Sequence, residues 1–204
     1  MRQIVLYFII ISYSLHGQHS GKNDFAFVAL LNDYVTTIYP NNNLEEYIYI
    51  GIKRQKMYHI KKNNLISIYP VSTSSKGAGN KMGTFKTPTG LHTIVEKIGQ
   101  DVPLGTLFVK KKNAGSVVNI NKSDTTLAND EITSRILSLK GEELGINKGS
   151  KIDSYARGIY IHGTSDEATI GRPASHGCIR MINQDVIKLF DNVQIGTKVL
   201  IINN

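Results

Sequence analysis

Near the carboxyl end of the chain, one cysteine, two histidines and several glycines have the composition of an acyl-transfer site. Cys178 is the single cysteine among the 204 residues and lies in the segment 175–181, SHGCIRM. His162 and Gly163 follow an apolar run, residues 159–161, a short distance upstream. In cysteine acyl transfer a thiolate attacks a carbonyl, an imidazole handles the proton, and backbone N–H groups receive the oxyanion. These residue types therefore predict a cysteine nucleophile.

The spacing of the same residues predicts how they meet. The apolar run indicates a strand that ends at His162, and the glycine- and proline-containing residues 163–174 are long enough to return Cys178 to the same rim of a sheet. Gly177 has no side chain, so a substrate carbonyl can approach the backbone, and the N–H groups of Gly177 and Cys178 are the predicted oxyanion donors. In an extended chain Arg180 points to the same side as Cys178, where it would stabilise a thiolate or hold a substrate carboxylate.

Two other interpretations of these residues stay open at this point. A lone cysteine is often a small buried hydrophobic residue, because cysteine is among the most buried residue types. A zinc site formed by His162, His176 and Cys178 is a second alternative, but positions 176 and 178 are closer than zinc-ligand pairs usually are, and no fourth ligand is evident. We therefore predict that the site holds no metal and needs no cofactor.

The first 20 residues have the layout of a secretory signal peptide. One positive charge precedes the apolar residues 4–15, and small and polar residues follow at 16–21. The apolar run is shorter than the roughly 20 residues that span a bilayer. An uncleaved anchor or a buried N-terminal helix are the alternatives. We expect export to the periplasm or cell envelope. Exported proteins usually pair their cysteines, so a single cysteine with no internal partner favours a functional role for its thiol.

The charge balance is basic, with a formal net charge of +8. The lysines and arginines are scattered, and the densest run is the lysine triplet 110–112. A basic surface favours anionic partners such as cell-wall polymers or a membrane face, while scattered lysines are also typical of an ordinary solvated surface. No basic stripe with interleaved aromatic residues is present, so we predict no nucleic-acid binding.

The remaining pattern predicts one mainly β domain. After a lead-in at residues 21–45, short β-rich runs with glycine and proline punctuation begin at Glu46 and continue to residue 203, which favours a sandwich or barrel with a few short helices. A hairpin is predicted around Asn63 and Asn64, and residues 132–139 fit a strand or a helix. The long segment 99–154 is predicted to be a lid-like insertion. His59 and His92 lie in strand patterns and are expected to be structural or surface residues.

These residues resemble the L,D-transpeptidase (YkuD-type) catalytic domain family. The resemblance is carried by residues 161–164 (IHGT), 170–171 (IG) and 174–181 (ASHGCIRM), with further matches at 69–73, 86–90, 185 and 196–199. It implies a largely β, YkuD-like domain that transfers peptidoglycan stem peptides. Such enzymes cleave a tetrapeptide donor, usually between meso-diaminopimelate and D-alanine, form a thioester on cysteine, and pass the acyl group to an amine acceptor.

The resemblance also implies roles for single residues. Cys178 is the nucleophile, His162 is the general base, and the backbone carbonyl of Gly163 orients the imidazole. Carbapenems are the expected inhibitors, because a strained lactam acylates the same thiol. An L,D-carboxypeptidase or endopeptidase, with water as the acceptor, is the alternative activity, and a non-catalytic wall-binding module is a third interpretation. The predicted substrate-binding residues are Arg180, Ser175, His176, Tyr160 and Thr164, of which His176 is expected mainly to shape the loop.

Overall fold

The computed structural model describes residues 18–42, 44–123 and 131–204, and the chain divides into two units at Pro40. In the first unit, helix α1 (Gln18–Ile38) occupies most of the predicted lead-in and ends two residues before Pro40, which cannot continue a helix. No helix of the described residues is long and apolar enough to cross a membrane. Residues 1–17 of the predicted signal peptide (residues 1–20) lie outside the described residues.

The second unit, residues 41–204, is mainly β, as the sequence predicts. Its helix α2 spans Asn183–Asn192, and two short 3-10 helices lie at Ser150–Ile152 and Glu167–Thr169. The strands within the described residues are β1 (Glu46–Gly51), β2 (Lys56–Lys61), β3 (Asn64–Ser72), β4 (Gly90–Ile98), β5 (Thr106–Val109), β6 (Lys112–Val117), β7 (Ile132–Gly141), β8 (Tyr160–Thr164), β9 (Ile179–Met181) and β10 (Lys198–Ile202).

The sheet closes on itself. Its order is β4-β10-β1-β2-β3-β9-β8-β7, and β7 pairs with β4 to complete the ring, while the β5–β6 hairpin extends from β7. Most neighbours are antiparallel, but β8 runs parallel to β9 and β1 runs parallel to β10. A closed ring leaves these eight strands without a free edge.

Apolar side chains from the strands and α2 fill the core. Strand residues such as Ile48, Ile161 and Ile179 are fully buried in one cluster with Leu189 and Phe190 of α2. Helix α2 contacts β7 and β8, so its buried face lies against the two strands that precede the cysteine loop. Burying a large aliphatic or aromatic side chain contributes about 1.5–3 kcal/mol, and this packing fixes the strands on which the site is built.

Two local expectations change in detail. The segment 99–154 is not one lid-like insertion, because it contributes β7, which lies between β4 and β8 in the closed ring. Residues 132–139 therefore form a strand, whose apolar side chains are buried on both sides. The β2–β3 hairpin turns at Lys62 and Asn63, one residue earlier than predicted, and both have positive φ angles, as a two-residue turn of this kind requires.

His59 and His92 both have structural positions. The imidazole of His59 lies 2.9 Å from Glu46, and both histidines are buried. Nδ1 of His92 lies 3.0 Å from the carbonyl oxygen of Gly90, and Nε2 lies 2.9 Å from the hydroxyl of Ser154. Because the carbonyl can only accept, Nδ1 carries the proton and Nε2 accepts from the serine, which is the neutral form of the ring.

His92 should therefore make the protein sensitive to mild acid. Burial lowers the pKa of His92 to about 4, from 6.5. Above pH 6.5 the ring is neutral in both states, while between pH 6.5 and 4 only the unfolded chain binds the proton, so stability falls as the pH falls. The full loss is about 3 kcal/mol. Urea unfolding at pH 7 and pH 4.5 should show a markedly smaller loss in His92→Gln, and an equal loss in both proteins would contradict this assignment.

Candidate active site

The parallel pair β8 and β9 brings the two halves of the motif together. Ile161 lies opposite Ile179, and His162 lies opposite Arg180. Side chains alternate along a strand, and both isoleucines point into the core, so His162 and Arg180 lie on the opposite face. Cys178 immediately precedes β9 and has the same parity as Arg180. Cys178 therefore lies on the same face of the sheet as His162, two residues before Arg180 on the adjacent chain segment.

His162 is oriented by its own neighbour in the chain. Its imidazole is almost fully buried, and Nδ1 lies 2.7 Å from the carbonyl oxygen of Gly163, the partner that the family resemblance implies. A carbonyl only accepts, so Nδ1 donates its proton and Nε2 of the neutral ring carries the lone pair. This arrangement leaves Nε2 as the atom that can take a proton from a thiol.

The cysteine loop is held by a serine. The Ser175 hydroxyl donates to the carbonyl oxygen of Cys178 at 2.6 Å and accepts the Gly177 N–H at 3.2 Å. Gly177 has a φ of +124°, which favours glycine, and a Cβ there would lie 3.3 Å from the carbonyl oxygen of Lys86. The Gly177 N–H is thus directed to Ser175, and its use as an oxyanion donor stays a prediction. The partly exposed Cys178 thiol donates to the carbonyl oxygen of Gly158 at 3.3 Å.

Gly163, the residue that orients His162, packs closely against the buried side chain of Asn183. A Cβ on Gly163 would lie 2.4 Å from Oδ1 of Asn183, so no larger residue fits without movement. The Asn183 amide donates to Thr164 and Glu167 at 2.8 Å each and accepts from the Thr133 hydroxyl at 2.6 Å. Asn183 therefore ties β8 to β7 and to the start of α2, and replacing it would leave several buried groups unpaired.

Comparison with known proteins identifies the family. Residues 45–201, most of the chain, match the model of the L,D-transpeptidase catalytic domain. The chain belongs to this family. The Escherichia coli protein described as probable L,D-transpeptidase YcfS is 26% identical over 159 residues, which are 78% of this chain and 44% of that protein.

A second relative carries the same L,D-transpeptidase description, and one solved structure shares the fold. The probable L,D-transpeptidase ErfK/SrfK of Escherichia coli is 54% identical over 43 residues, 21% of this chain and 14% of that protein. The solved structure of Bdellovibrio bacteriovorus Bd1075 has a TM-score of 0.50 and 20% identity, and the match covers 78% of this chain and 48% of that chain. The chain thus spans less than half the length of these proteins.

The predicted substrate-binding residues of this L,D-transpeptidase domain differ in their access to solvent. Thr164 and Ser175 are fully buried, and Arg180 is only 3% exposed, with its guanidinium 3.5 Å from the hydroxyl of Thr169. Burial gives these three side chains supporting positions in the fold, and their contact with substrate stays a prediction. His176 is exposed and Tyr160 is partly exposed, so these two can reach a ligand.

An aromatic and basic rim, which the sequence pattern did not predict, borders the cysteine loop. Phe85 is 52% exposed with a φ of +59°, its ring meets that of His176 edge-on at 6.1 Å, and the ammonium of Lys76 lies 4.9 Å from its centroid. A bulky residue in the left-handed region is unusual and is held there by the hydrogen bond from Ser74 to its carbonyl. These side chains form one wall beside the cysteine loop.

A second wall is built on Tyr160. The ammonium of Lys111, in the β5–β6 turn, lies 5.3 Å from the Tyr160 ring and 4.6 Å from that of Tyr155, and it is ion-paired with Glu96. Burial raises the pKa of Tyr160, the Lys111 charge acts in the opposite direction, and the charge on Cys178 raises it further. A thiolate at Cys178 would therefore favour the protonated phenol of Tyr160.

In the described part of the chain, no group of three His, Cys, Asp or Glu side chains is arranged to hold a metal ion.

Two acidic residues upstream of the motif hold local structure. Asp166 is 1% exposed and accepts from the Asn121 amide at 3.0 Å, and Glu167 accepts from the backbone N–H of Asn183 at 2.8 Å. Both carboxylates are thus used to hold the loop and the helix start together. Neither is placed to take part in chemistry at Cys178.

Proposed function

We propose that this domain is a peptidoglycan L,D-transpeptidase that carries its acyl group as a thioester on Cys178. The observation that carries the proposal is the orientation of His162, which lies on the same face as Cys178 with Nδ1 bonded to Gly163. Family membership supports the choice of substrate class, namely stem peptides of the bacterial cell wall.

The geometry supports a two-step reaction. His162 takes the proton of Cys178. The sulfur then attacks the carbonyl carbon at the L-centre of the donor's diaminopimelate, which is bonded to the nitrogen of D-alanine, and forms a C–S bond. The tetrahedral oxyanion collapses, the C–N bond breaks, and D-alanine leaves with the proton held by His162. An acceptor amine then gives a proton to His162, attacks the thioester and releases the thiolate.

The acceptor decides the net reaction. An amine from a second stem peptide gives a cross-link, whereas water gives a trimmed tripeptide, the carboxypeptidase or endopeptidase alternative. Incubation of the purified protein with disaccharide-tetrapeptide, followed by mass spectrometry of the muropeptides, separates the two. We expect cross-linked dimers with wild type and none with Cys178→Ala, and tripeptides alone would show that water is the acceptor.

The same chemistry predicts capture by carbapenems. A strained lactam carbonyl is open to attack by the Cys178 thiolate, and ring opening leaves the drug tethered where an acceptor amine must enter. The adduct should therefore block turnover at one molecule per chain.

We also propose that the protein is exported and acts in the periplasm or cell envelope, peripheral to the membrane or wall. The charged start, the apolar residues 4–15 and the net charge of +8 support this location. N-terminal sequencing of the protein from its host should give a mature chain that begins near residue 18. Retention of residues 4–15 would point to an uncleaved anchor.

A further inference from the structure

Arg157 holds a long loop against the cysteine site. It is half-buried, and its guanidinium donates to the carbonyl oxygens of Gly79 at 3.1 Å and Asn80 at 2.9 Å and to that of Lys86. These three carbonyls belong to the loop between β3 and β4, residues 73–89. One planar guanidinium with five donors can bind both sides of such a loop at once.

The Lys86 carbonyl lies between Arg157 and the motif. The Cβ position of Gly177 is 3.3 Å from this oxygen, so the carbonyl faces the residue before the nucleophile. The negative end of a carbonyl dipole disfavours a nearby anion. The guanidinium bound to the same oxygen offsets that effect, because it brings a positive charge to the other side.

The thiol itself needs such a charge. Cys178 donates to the carbonyl oxygen of Gly158, the residue that follows Arg157, and this hydrogen bond stabilises the protonated thiol. Gly158 has a φ of +67°, and a Cβ there would lie 3.1 Å from the hydroxyl of Tyr160. When the proton leaves, the sulfur anion faces an oxygen that can only accept. A cation near the sulfur, in addition to the protonated imidazole of His162, then helps to keep the thiolate accessible near neutral pH.

We propose that Arg157 is a positioning residue whose guanidinium supplies this charge, stabilising the Cys178 thiolate while it fixes the 79–86 segment beside Gly177. The inference rests on the proposed role of Cys178 as nucleophile. It assigns the positive charge that stabilises the thiolate to a residue outside the pairs His162-Gly163 and His176-Gly177.

The electrostatics of Arg157 agree with this placement. Burial lowers the pKa of Arg157, and the charge of Cys178 acts against that effect and raises it. Coupling between two sites is reciprocal, so a thiolate that stabilises the guanidinium is stabilised by it to the same extent. The other titratable or charged groups around the motif are Tyr160 and His162 on β8, Arg180 on β9 and His176 in the loop, with Lys111 and Glu96 beyond Tyr160.

The test is the pH dependence of Cys178 alkylation by iodoacetamide, measured on the full chain. Arg157→Gln should raise the pH midpoint by about one unit and lower the rate at pH 7 by about tenfold, while Arg157→Lys, which keeps the charge, should stay within about 0.3 unit of wild type. Arg172→Gln is the matched control. Arg172 is exposed and donates to the carbonyl oxygen of Ala168, so this variant removes the same charge from a different position.

A folded Arg157→Gln protein with the wild-type midpoint overturns the proposal, as does an equal shift in Arg157→Lys. If Arg157→Gln does not fold, Arg157→Met, which keeps the aliphatic stem, replaces it. Alkylation needs no peptidoglycan substrate. A midpoint shift in a protein that does not turn over tetrapeptide would therefore support the role of Arg157 and contradict the proposed function.

Discussion

Replacement of Cys178 by alanine is expected to abolish turnover and all covalent adducts while the protein stays folded. The thiol is partly exposed and donates a hydrogen bond to the carbonyl oxygen of Gly158, so its loss creates no large cavity in the core. Deletion of a nucleophile costs on the order of 10⁶-fold in kcat where the catalytic groups act as a unit. Intact-protein mass spectrometry with imipenem or meropenem should show one adduct per wild-type chain and none on Cys178→Ala.

Cys178→Ser is the matched variant. A hydroxyl is a much weaker nucleophile than a thiolate at neutral pH, so this protein should also lack activity while keeping nearly the same volume. Turnover of tetrapeptide by Cys178→Ala at a rate near wild type would remove the basis of the mechanism.

The second large effect is expected at His162. His162→Ala should lower kcat by about 10²–10⁴-fold, the usual size of a lost general base. Its imidazole is buried on the face of Cys178 and is oriented by the Gly163 carbonyl, so the variant removes the proton acceptor that the fold holds in place. Turnover of disaccharide-tetrapeptide and the pH profile of iodoacetamide alkylation measure the loss.

His176→Ala is the control for His162→Ala. His176 lies two residues before the nucleophile, but its ring is exposed and contacts Phe85 edge-on. We expect a moderate effect on substrate binding and an alkylation profile close to that of wild type. If His176→Ala, and not His162→Ala, removes the reactivity at low pH, the roles of the two histidines are reversed.

The sequence predicted the local elements of the fold better than their assembly. The first strand from Glu46 and the β2–β3 hairpin follow from alternation and turn residues, which are local signals. The position of β7 does not, because a strand buried on both faces shows no alternation, and its partners β4 and β8 lie far away in the chain. The expected lid was the result of that missing signal.

The same distinction applies to the site. Cys178 and His162 carry their chemistry in their side-chain types, and glycine next to each shows where backbone must come close. Arg157 and Asn183 act through contacts with carbonyls and side chains of distant segments, at Lys86 and Thr133 for example. An arginine in a turn and an asparagine at a helix start have ordinary local roles, so only the folded structure indicates what they hold.

The most direct test of the central claim is to trap the acyl-enzyme. Wild-type protein is mixed with disaccharide-tetrapeptide in the absence of an added acceptor, quenched in acid, and analysed by intact-protein and peptide mass spectrometry. A cysteine thioester mechanism predicts an added mass equal to the donor less D-alanine, located on Cys178 and removed by hydroxylamine. Tetrapeptide conversion without any adduct on Cys178, or with an adduct on another residue, would contradict it.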